Sequence, residues 1–392
     1  MSRNSLKTSV IIPWAEGRSA ICAVRSLARK GVRSIAVSSN ARAMGFYSKY
    51  PSEKFVIPPY GTQLSQHRDA LLELCKRNDV LTIMPFVEAD AYLLSTQKEA
   101  LKQYVKPVWV SSETFECVRD KTKLVQKAQR AGVPVPKTSE LTEWTDWSTP
   151  CVIKSRYSIM EAGNGLFYGG VEFADPNKRP DFEAIRRRMR HDPIVQEYIR
   201  GPEFGFSALF NDGQPRAMFQ HLRILSESQA GGASVLRKSI FNKELGELGM
   251  KLLRALHWHG PAMVEFKFDE EEEKFKLMEI NPRFWGSLNL AIEAGVDFPY
   301  LYYKLARDGD CESVLTYRTN VVAHYLPGEL RHLANVLQDR EPSYVWKNSS
   351  SLKRDVFRII SMLRHSEFDV LDRHDMAPLL VDILSTLKIF RN

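Results

Sequence analysis

"KLMEINPRFWGS", residues 276–287, places polar side chains within an otherwise apolar, strand-like run. Glu279 and Asn281 lie two residues apart in a strand-like run, and Arg283 follows directly. Side chains on a strand point alternately to its two faces, so the carboxylate and the amide share one face. The surrounding apolar side chains indicate burial, and a buried charge needs a partner. The stretch therefore predicts a binding site that presents oxygen ligands.

A second strand precedes this one, and the two form a predicted hairpin over residues 263–280 with an acidic, solvated tip. If the polar faces coincide, Glu265 lies beside Glu279 and Asn281. Hard oxygen ligands of this kind suit Mg²⁺, which prefers a few carboxylates together with substrate phosphates. Arg283, just beyond, can bind a phosphoryl oxygen with both of its terminal nitrogens.

The length and charge of the chain limit the classes of protein that it can represent. Its 392 residues predict two to four subdomains, and 44% hydrophobic residues allow a large core. A net charge of +8 favours an anionic partner such as a nucleotide, an acidic metabolite, nucleic acid or a membrane surface. The charge is spread along the chain, which argues against nucleic acid.

The cysteines and the apolar runs predict a cytoplasmic protein. The five cysteines are scattered without a C-x-x-C pair, which argues against a disulfide framework and a structural zinc site. The first residues have too short an apolar run for a signal peptide. No stretch approaches the roughly 20 apolar residues of a membrane span.

The first third of the chain has the pattern of a parallel sheet. Residues 8–39 predict a strand, a helix and a second strand, and a further strand follows at 79–86. No G-x-G-x-x-G is present, so a dinucleotide site is weakly supported. Glu88 and Asp90 follow a predicted strand and either line a cleft or are solvated in a loop.

The middle and end of the chain alternate between helices and strands. The predicted elements are a helical pair (112–138), a strand (151–155), a mobile glycine-rich loop (160–170), a helix (181–191) and two strands separated by a break (194–212). From about residue 311 onward we expect amphipathic helices that pack on the body of the protein or on a second subunit.

The hairpin residues resemble a known family. "MEINPR" resembles the metal-binding strand of ATP-grasp enzymes, and "MVEF" resembles the segment with their first metal carboxylate. The resemblance implies that Glu265, Glu279 and Asn281 bind two Mg²⁺ ions. It also implies that Mn²⁺ can take the place of Mg²⁺. It covers roughly residues 8–310.

The resemblance also implies an ATP site. "CVIKS" is similar to the strand whose lysine holds ATP phosphates, "MEAGNG" to the lid over them, and "VQEYIRGPE" to the hinge that meets adenosine. The ATP-binding residues implied in this way are Lys121, Lys154, Glu197, Tyr198, Ile199 and Glu203. Arg283, with Arg223 as the second candidate, is implied to stabilise the transferring phosphoryl group.

Within the superfamily, "GRSAICAVRSLARKG" and "PVWVSSETFECVRDKTK" resemble the carbamoyl-phosphate-synthase-like carboxylate–amine ligases. This implies an ATP-grasp fold of α/β and α+β class. We expect an N-terminal α/β (pre-ATP-grasp) domain at 1–111 and an ATP-grasp domain at 112–310. The latter contains a lid subdomain at about 150–195 and a C-terminal α+β subdomain, and a helical extension follows at 311–392.

The resemblance implies an ATP-dependent ligase that joins a carboxylate to an amine through an acyl phosphate and releases ADP and phosphate. The expected partners are small molecules and, as one possibility, a second copy of the chain, with no nucleic acid and no membrane span. The alternatives are an ATP-grasp phosphotransferase or carboxylase, and a nucleotide-binding protein without turnover.

Overall fold

The computed structural model describes residues 7–175, 180–190, 192–228, 231–338, 351–364 and 366–389. Within these ranges the chain forms two four-stranded sheets, a two-stranded hairpin and a seven-stranded sheet. None of the helices in this part of the chain has the length and apolar character needed to cross a membrane.

The first sheet is parallel, with the order β3-β2-β1-β4. Strands β1, β2 and β4 are buried along their whole length, as parallel strands covered by helices usually are. The predicted strand, helix and strand at the start of the chain are confirmed. The elements are β1 (Ser9–Ile12), α1 (Arg18–Arg29), β2 (Ser34–Ser38), β3 (Glu53–Val56), α2 (Leu64–Cys75), β4 (Val80–Ile83), α3 (Glu88–Thr96) and α4 (Lys98–Leu101).

A helical pair leads into the second, antiparallel sheet, whose order is β5-β10-β6-β9. Ser111 and Asp120 cap the two helices through their side chains, which fixes where each helix begins. The elements are α5 (Ser112–Arg119), α6 (Lys121–Arg130), β5 (Thr138–Glu140), β6 (Cys151–Ser155), β7 (Ile159–Ala162), β8 (Gly165–Tyr168), β9 (Val171–Ala174), α7 (Phe182–Met189) and β10 (Pro193–Glu197).

The prediction of a mobile loop at 160–170 is wrong, because these residues form the hairpin of β7 and β8. Gly163 has a φ of +59° and makes the turn. Ile159 and Leu166 on either side are buried. The four glycines suggested an irregular loop, but the glycines near position 163 form a tight turn between two short strands, which is a hairpin pattern.

The seven-stranded sheet has the order β15-β14-β11-β12-β13-β16-β17. The strands at residues 260–269 and 274–281 form the predicted hairpin. The buried rings of Phe206, Phe210 and Phe266 pack in the core beneath the sheet. The elements are β11 (Glu203–Asn211), β12 (Gln214–Ser228), β13 (Gly231–Ile240), α8 (Lys243–Ala255), β14 (Gly260–Asp269), β15 (Lys274–Asn281), α9 (Leu288–Glu293), α10 (Phe298–Asp308), β16 (Val322–His324), α11 (Leu326–Leu337), α12 (Leu352–Met362), β17 (Glu367–Phe368) and α13 (Ala377–Ile389).

The C-terminal segment is more than the predicted helical extension. Its strands β16 and β17 continue the large sheet, with β16 antiparallel to β13 and β17 parallel to β16. The two strands are three and two residues long, too short to show alternation in the sequence. The predicted packing on the body of the protein is confirmed.

Buried ion pairs fasten this segment to the rest of the chain. Arg18 Nη1 lies 3.0 Å from Asp369 Oδ2, and Arg237 forms an ion pair with the other oxygen of the same carboxylate. Arg25 Nε lies 3.0 Å from Asp375 Oδ2. All five side chains are buried. Separating the segment from the rest of the protein would leave these buried charges unpaired, which is costly. The ion pairs therefore hold the segment in place.

Asp369→Ala should therefore lower the free energy of unfolding by about 3–5 kcal/mol, because it leaves the guanidinium groups of Arg18 and Arg237 buried and unpaired. Urea unfolding followed by circular dichroism measures this loss. Glu73→Ala is the control, since Glu73 and its partner Lys76 are both exposed and the change should leave the free energy of unfolding almost unchanged. Equal losses in the two variants would contradict the interpretation.

Candidate active site

The hairpin of β14 and β15 brings three oxygen-bearing side chains together. Glu265 pairs in register with Glu279, and Met263 pairs with Asn281. Asn281 Nδ2 donates hydrogen bonds to Glu265 Oε1 at 3.0 Å and to Glu279 Oε1 at 3.1 Å. Glu265, Glu279 and Asn281, called the carboxylate cluster below, therefore share one face of the sheet, as strand alternation predicts.

Two arginines contact the carboxylate cluster. Arg223, whose side chain is 10% exposed, places Nη2 2.7 Å from Glu265 Oε2 and donates from Nη1 to Glu203 Oε2 at 3.2 Å. Arg283 donates from Nη2 to Asn281 Oδ1 at 2.9 Å, and its buried Nε has no hydrogen-bond partner in the described part of the chain. Each arginine therefore keeps an unsatisfied Nε among the described residues, but Arg223 is paired with two carboxylates and Arg283 with none.

The two glutamates of the cluster differ in their affinity for a proton. Burial raises the pKa of Glu265, and although Arg223 opposes the rise, the neighbouring Glu279 reinforces it. Burial also acts to raise the pKa of Glu279, but Lys121 and other positive or hydrogen-bonding neighbours outweigh burial and lower it. Glu279 is therefore the more firmly ionised of the two.

Two lysines point toward the same carboxylates. Lys154 lies on β6 and Lys121 begins α6. Neither ammonium group forms an ion pair or a hydrogen bond with the described residues, and burial lowers the pKa of Lys154 to about 8 and also lowers the pKa of Lys121. A half-buried cation without a direct ion pair favours an anionic ligand, and phosphate oxygens meet that requirement.

A cavity of about 830 Å³ connects these groups with residues of α1 and of the C-terminal segment. Its wall contains the carboxylate cluster, both lysines and Arg283, and it continues past Arg18 at the start of α1 to Tyr325 and Asp382 of the C-terminal segment. A cavity of this size holds an organic ligand of several hundred daltons. It has room beyond the phosphate-binding groups for a second molecule.

The two acids that follow β4 have different positions. Glu88 lines the cavity, accepts a hydrogen bond from Ser158 Oγ at 2.8 Å, and has a pKa that burial raises. Asp90 instead accepts from the backbone N–H groups of Phe86 and Val87 at 2.8 and 3.0 Å. Of the two alternatives left open by the sequence, the cleft position holds for Glu88, and Asp90 is a buried cap of α3.

The residues predicted to bind adenosine lie where β10 leads into β11, outside the lining of the cavity; they are Glu197, Tyr198, Ile199 and Glu203. Glu197 Oε1 already accepts a hydrogen bond from Lys276 Nζ at 2.8 Å. Glu203 pairs with Arg223 at 3.2 Å and with Lys267 at 3.4 Å. Glu203 is thus linked to the carboxylate cluster through Arg223, and the adenosine-binding role of all four residues remains a prediction.

Several polar residues of the site were not proposed from the sequence. Lys267 shares the face of β14 with Glu265, so strand alternation could have indicated it. Arg18 follows a parallel strand, at the edge of a sheet where ligands bind. Tyr325 and Asp382 lie in a segment without a motif, and nothing in the sequence indicates that they reach the cavity.

The carboxylate cluster fits Mg²⁺ by its donor chemistry, because carboxylate and amide oxygens are the hard ligands that this ion takes. Nowhere in the described residues do three or more His, Cys, Asp or Glu side chains form a potential metal-binding group. The two glutamates would therefore need other oxygen ligands to complete the coordination of Mg²⁺, and substrate phosphates are the usual source.

The arrangement of the sheets is that of the ATP-grasp fold. This confirms the predicted fold class of α/β and α+β type and the predicted resemblance. A model of the family described as "ATP-grasp in the biosynthetic pathway with Ter operon" matches residues 189–328.

Individual relatives are distant. D-aspartate ligase of Enterococcus faecium is 23% identical over 220 residues, which cover 49% of this chain and 51% of that protein. Biotin carboxylase from Campylobacter jejuni superposes with a TM-score of 0.64 at 19% identity, over 81% of this chain and 75% of that chain. L-amino acid ligase from Bacillus licheniformis superposes with a TM-score of 0.58 at 18% identity, over 77% and 74%. The chain spans 15% to 59% of the length of the curated relatives that it matches.

Glu279→Gln should reduce ATP turnover by about a hundredfold or more, because it removes a charge that anchors the metal and phosphates. Phosphate release measures turnover. Glu271→Gln makes the same chemical change at the exposed tip of the same hairpin and should have no effect. Wild-type turnover in the Glu279 variant would remove this residue from the site.

ATP affinity should decline as pH rises above about 8, because Lys154 then loses the proton that lets it pair with phosphate. Bound phosphates raise the lysine pKa, so each pH unit between the free and bound values costs up to about tenfold in affinity. Isothermal calorimetry at several pH values measures this slope. Lys154→Arg stays charged and should lose most of the slope, whereas Lys154→Met should bind ATP weakly throughout. Identical affinity and slope in Lys154→Met and wild type would show that Lys154 does not touch ATP.

Proposed function

We propose that the protein is an ATP-dependent ligase that joins a carboxylate to an amine through an acyl phosphate. The observation that carries this proposal is that Lys121 and Lys154, whose ammonium groups form no ion pair with the described residues, line one cavity together with the carboxylate cluster. This combination suits a metal-bound polyphosphate, and the remaining space suits the acid and the amine.

In this proposal Lys121 and Lys154 bind phosphate oxygens, and Glu265, Glu279 and Asn281 hold Mg²⁺. When bound there, Mg²⁺ supplies positive charge next to the phosphate oxygens. Arg283, whose Nε lacks a partner, stabilises negative charge on the γ-phosphoryl group in transfer. The protein acts mainly by positioning and by neutralising charge.

The reaction has two steps. An oxygen of the acid attacks the γ-phosphorus, the bond to the β–γ bridging oxygen breaks, and ADP leaves. The amine nitrogen then attacks the acyl carbon, the carbon–oxygen bond to phosphate breaks, and inorganic phosphate and a proton leave. Water must be kept out between the steps, because it would hydrolyse the acyl phosphate.

Two kinds of relative support different versions of the chemistry. D-aspartate ligase and L-amino acid ligase are ligases by name, which supports a substrate that is an acid and an amine. Biotin carboxylase, whose solved structure is similar over most of this chain, supports an ATP-grasp carboxylase as the alternative. The five free cysteines are consistent with a reducing compartment and a cytoplasmic location.

Hydroxylamine should trap the acyl phosphate when it is supplied with ATP, Mg²⁺ and the acid that the enzyme accepts. The reason is that a small, strong nucleophile can replace the amine in the second step. We expect a hydroxamate together with ADP and phosphate in a screen of carboxylic acids, with Glu279→Gln as the inactive control.

The products separate the alternatives. AMP and pyrophosphate would show an adenylate intermediate and refute the proposal. ADP with a stable phosphorylated product and no hydroxamate would indicate a phosphotransferase. Turnover that requires bicarbonate and gives a carboxylated product would indicate a carboxylase.

A further inference from the structure

The C-terminal helices expose an unusual amount of apolar surface. Among the described residues, ten of the sixteen exposed large hydrophobic side chains lie between Leu330 and Leu387. The most exposed on α12 are Phe357 at 71% and Ile360 at 61%. On α13, Leu380 and Leu384 are 57% and 59% exposed. Monomeric soluble proteins rarely leave so many such side chains together in water, so this surface calls for a partner.

The spacing of these side chains makes each helix two-sided. Phe357 and Ile360 are three residues apart, and Leu380 and Leu384 are four apart, so each pair lies on one face of its helix. The opposite faces are fixed to the protein, with Asp355 of α12 and Asp382 of α13 buried. Both helices contact α11, on which Leu330 and Leu337 are also exposed; the exposed apolar stripes of these three neighbouring helices are called the C-terminal face below.

The charges on the C-terminal face have one sign. Lys353 and Arg364 are exposed and lie before and after Phe357 and Ile360 along the chain, and Arg373 is exposed nearby. Every acidic residue in the described ranges 351–364 and 366–389 is buried or half-buried. The ion pairs of Asp369 and Asp375 with arginines of the body explain why their charge does not reach this surface.

Apolar side chains flanked by cations identify the kind of partner. A second copy of the chain would bring these cations against one another, which disfavours self-association through this face. An anionic lipid surface satisfies both features, because acyl chains accept the apolar side chains and lipid phosphates attract lysine and arginine. We infer that the C-terminal face binds peripherally to membranes that contain anionic lipids, with α12 and α13 lying along the lipid headgroups.

Vesicle flotation with the full chain tests this inference. Binding to phosphatidylcholine vesicles with about 30% phosphatidylglycerol should exceed binding to phosphatidylcholine alone by at least about tenfold, because each cation near an anionic surface contributes about 1 kcal/mol. Raising the salt concentration from about 0.1 M to about 0.5 M should weaken binding, because it screens the attraction.

Paired variants separate the apolar and the ionic parts. Phe357→Ser with Ile360→Ser should abolish flotation, and Lys353→Glu with Arg364→Glu should abolish the preference for anionic vesicles. Phe241→Ser is the matched control, since Phe241 is 60% exposed but lies beside α8, outside the C-terminal face. All three proteins should unfold at nearly the wild-type temperature, because only exposed side chains change.

Three outcomes would overturn the inference. These are no flotation with either vesicle, equal flotation with both, or a wild-type dimer in sedimentation analysis that the Phe357 and Ile360 variant loses while vesicles remain unbound. The last result would assign the face to a second copy. None of these measurements uses ATP turnover, so their result is independent of the proposed ligase activity.

Discussion

Two carboxylates held side by side on one face of a sheet impose the constraint on which the rest of the site depends. Glu265 and Glu279 are paired across β14 and β15, so both lose water and each repels the other. Such a pair persists only if the fold surrounds it with hydrogen-bond donors and positive charge. The fold supplies them from four places in the chain: Asn281 of β15, Arg223 of β12, Lys154 of β6 and Lys121 of α6.

These surrounding groups are not equivalent. Arg223 is held between Glu203 and Glu265 and so belongs to the permanent structure of the sheet. Lys121 and Lys154 lie near Glu279 but form no ion pair with the described residues. Burial lowers the pKa of both lysines. The contrast separates cations that stabilise the fold from cations whose charge is left for a ligand.

Local patterns in the sequence were sufficient for the hairpin and insufficient for the cavity. Strand alternation places Glu279 and Asn281 on one face, and the register of the hairpin then brings Glu265 opposite Glu279. The glycines around Gly163 were ambiguous, since a turn and a loop use the same residues. Tyr325 and Asp382 line the same cavity as Arg18 of α1, although about 300 or more residues separate them from α1 along the chain. Only tertiary contacts such as the one between Arg25 and Asp375 bring them there, and no local pattern encodes such contacts.

The ion pairs of the C-terminal segment join residues that are far apart along the chain. Arg25 and Asp375 are 350 positions apart, and Arg18 and Asp369 are separated almost as widely. During synthesis the first sheet can form early, but Arg18 and Arg25 of α1 have no counter-ion until the C-terminal segment has also left the ribosome. Contacts of such long range are also slow to form, because the loop they close costs entropy first. The wall of the cavity is therefore complete only after the C-terminal segment has folded onto the first domain, and a nascent chain that lacks this segment has no finished site.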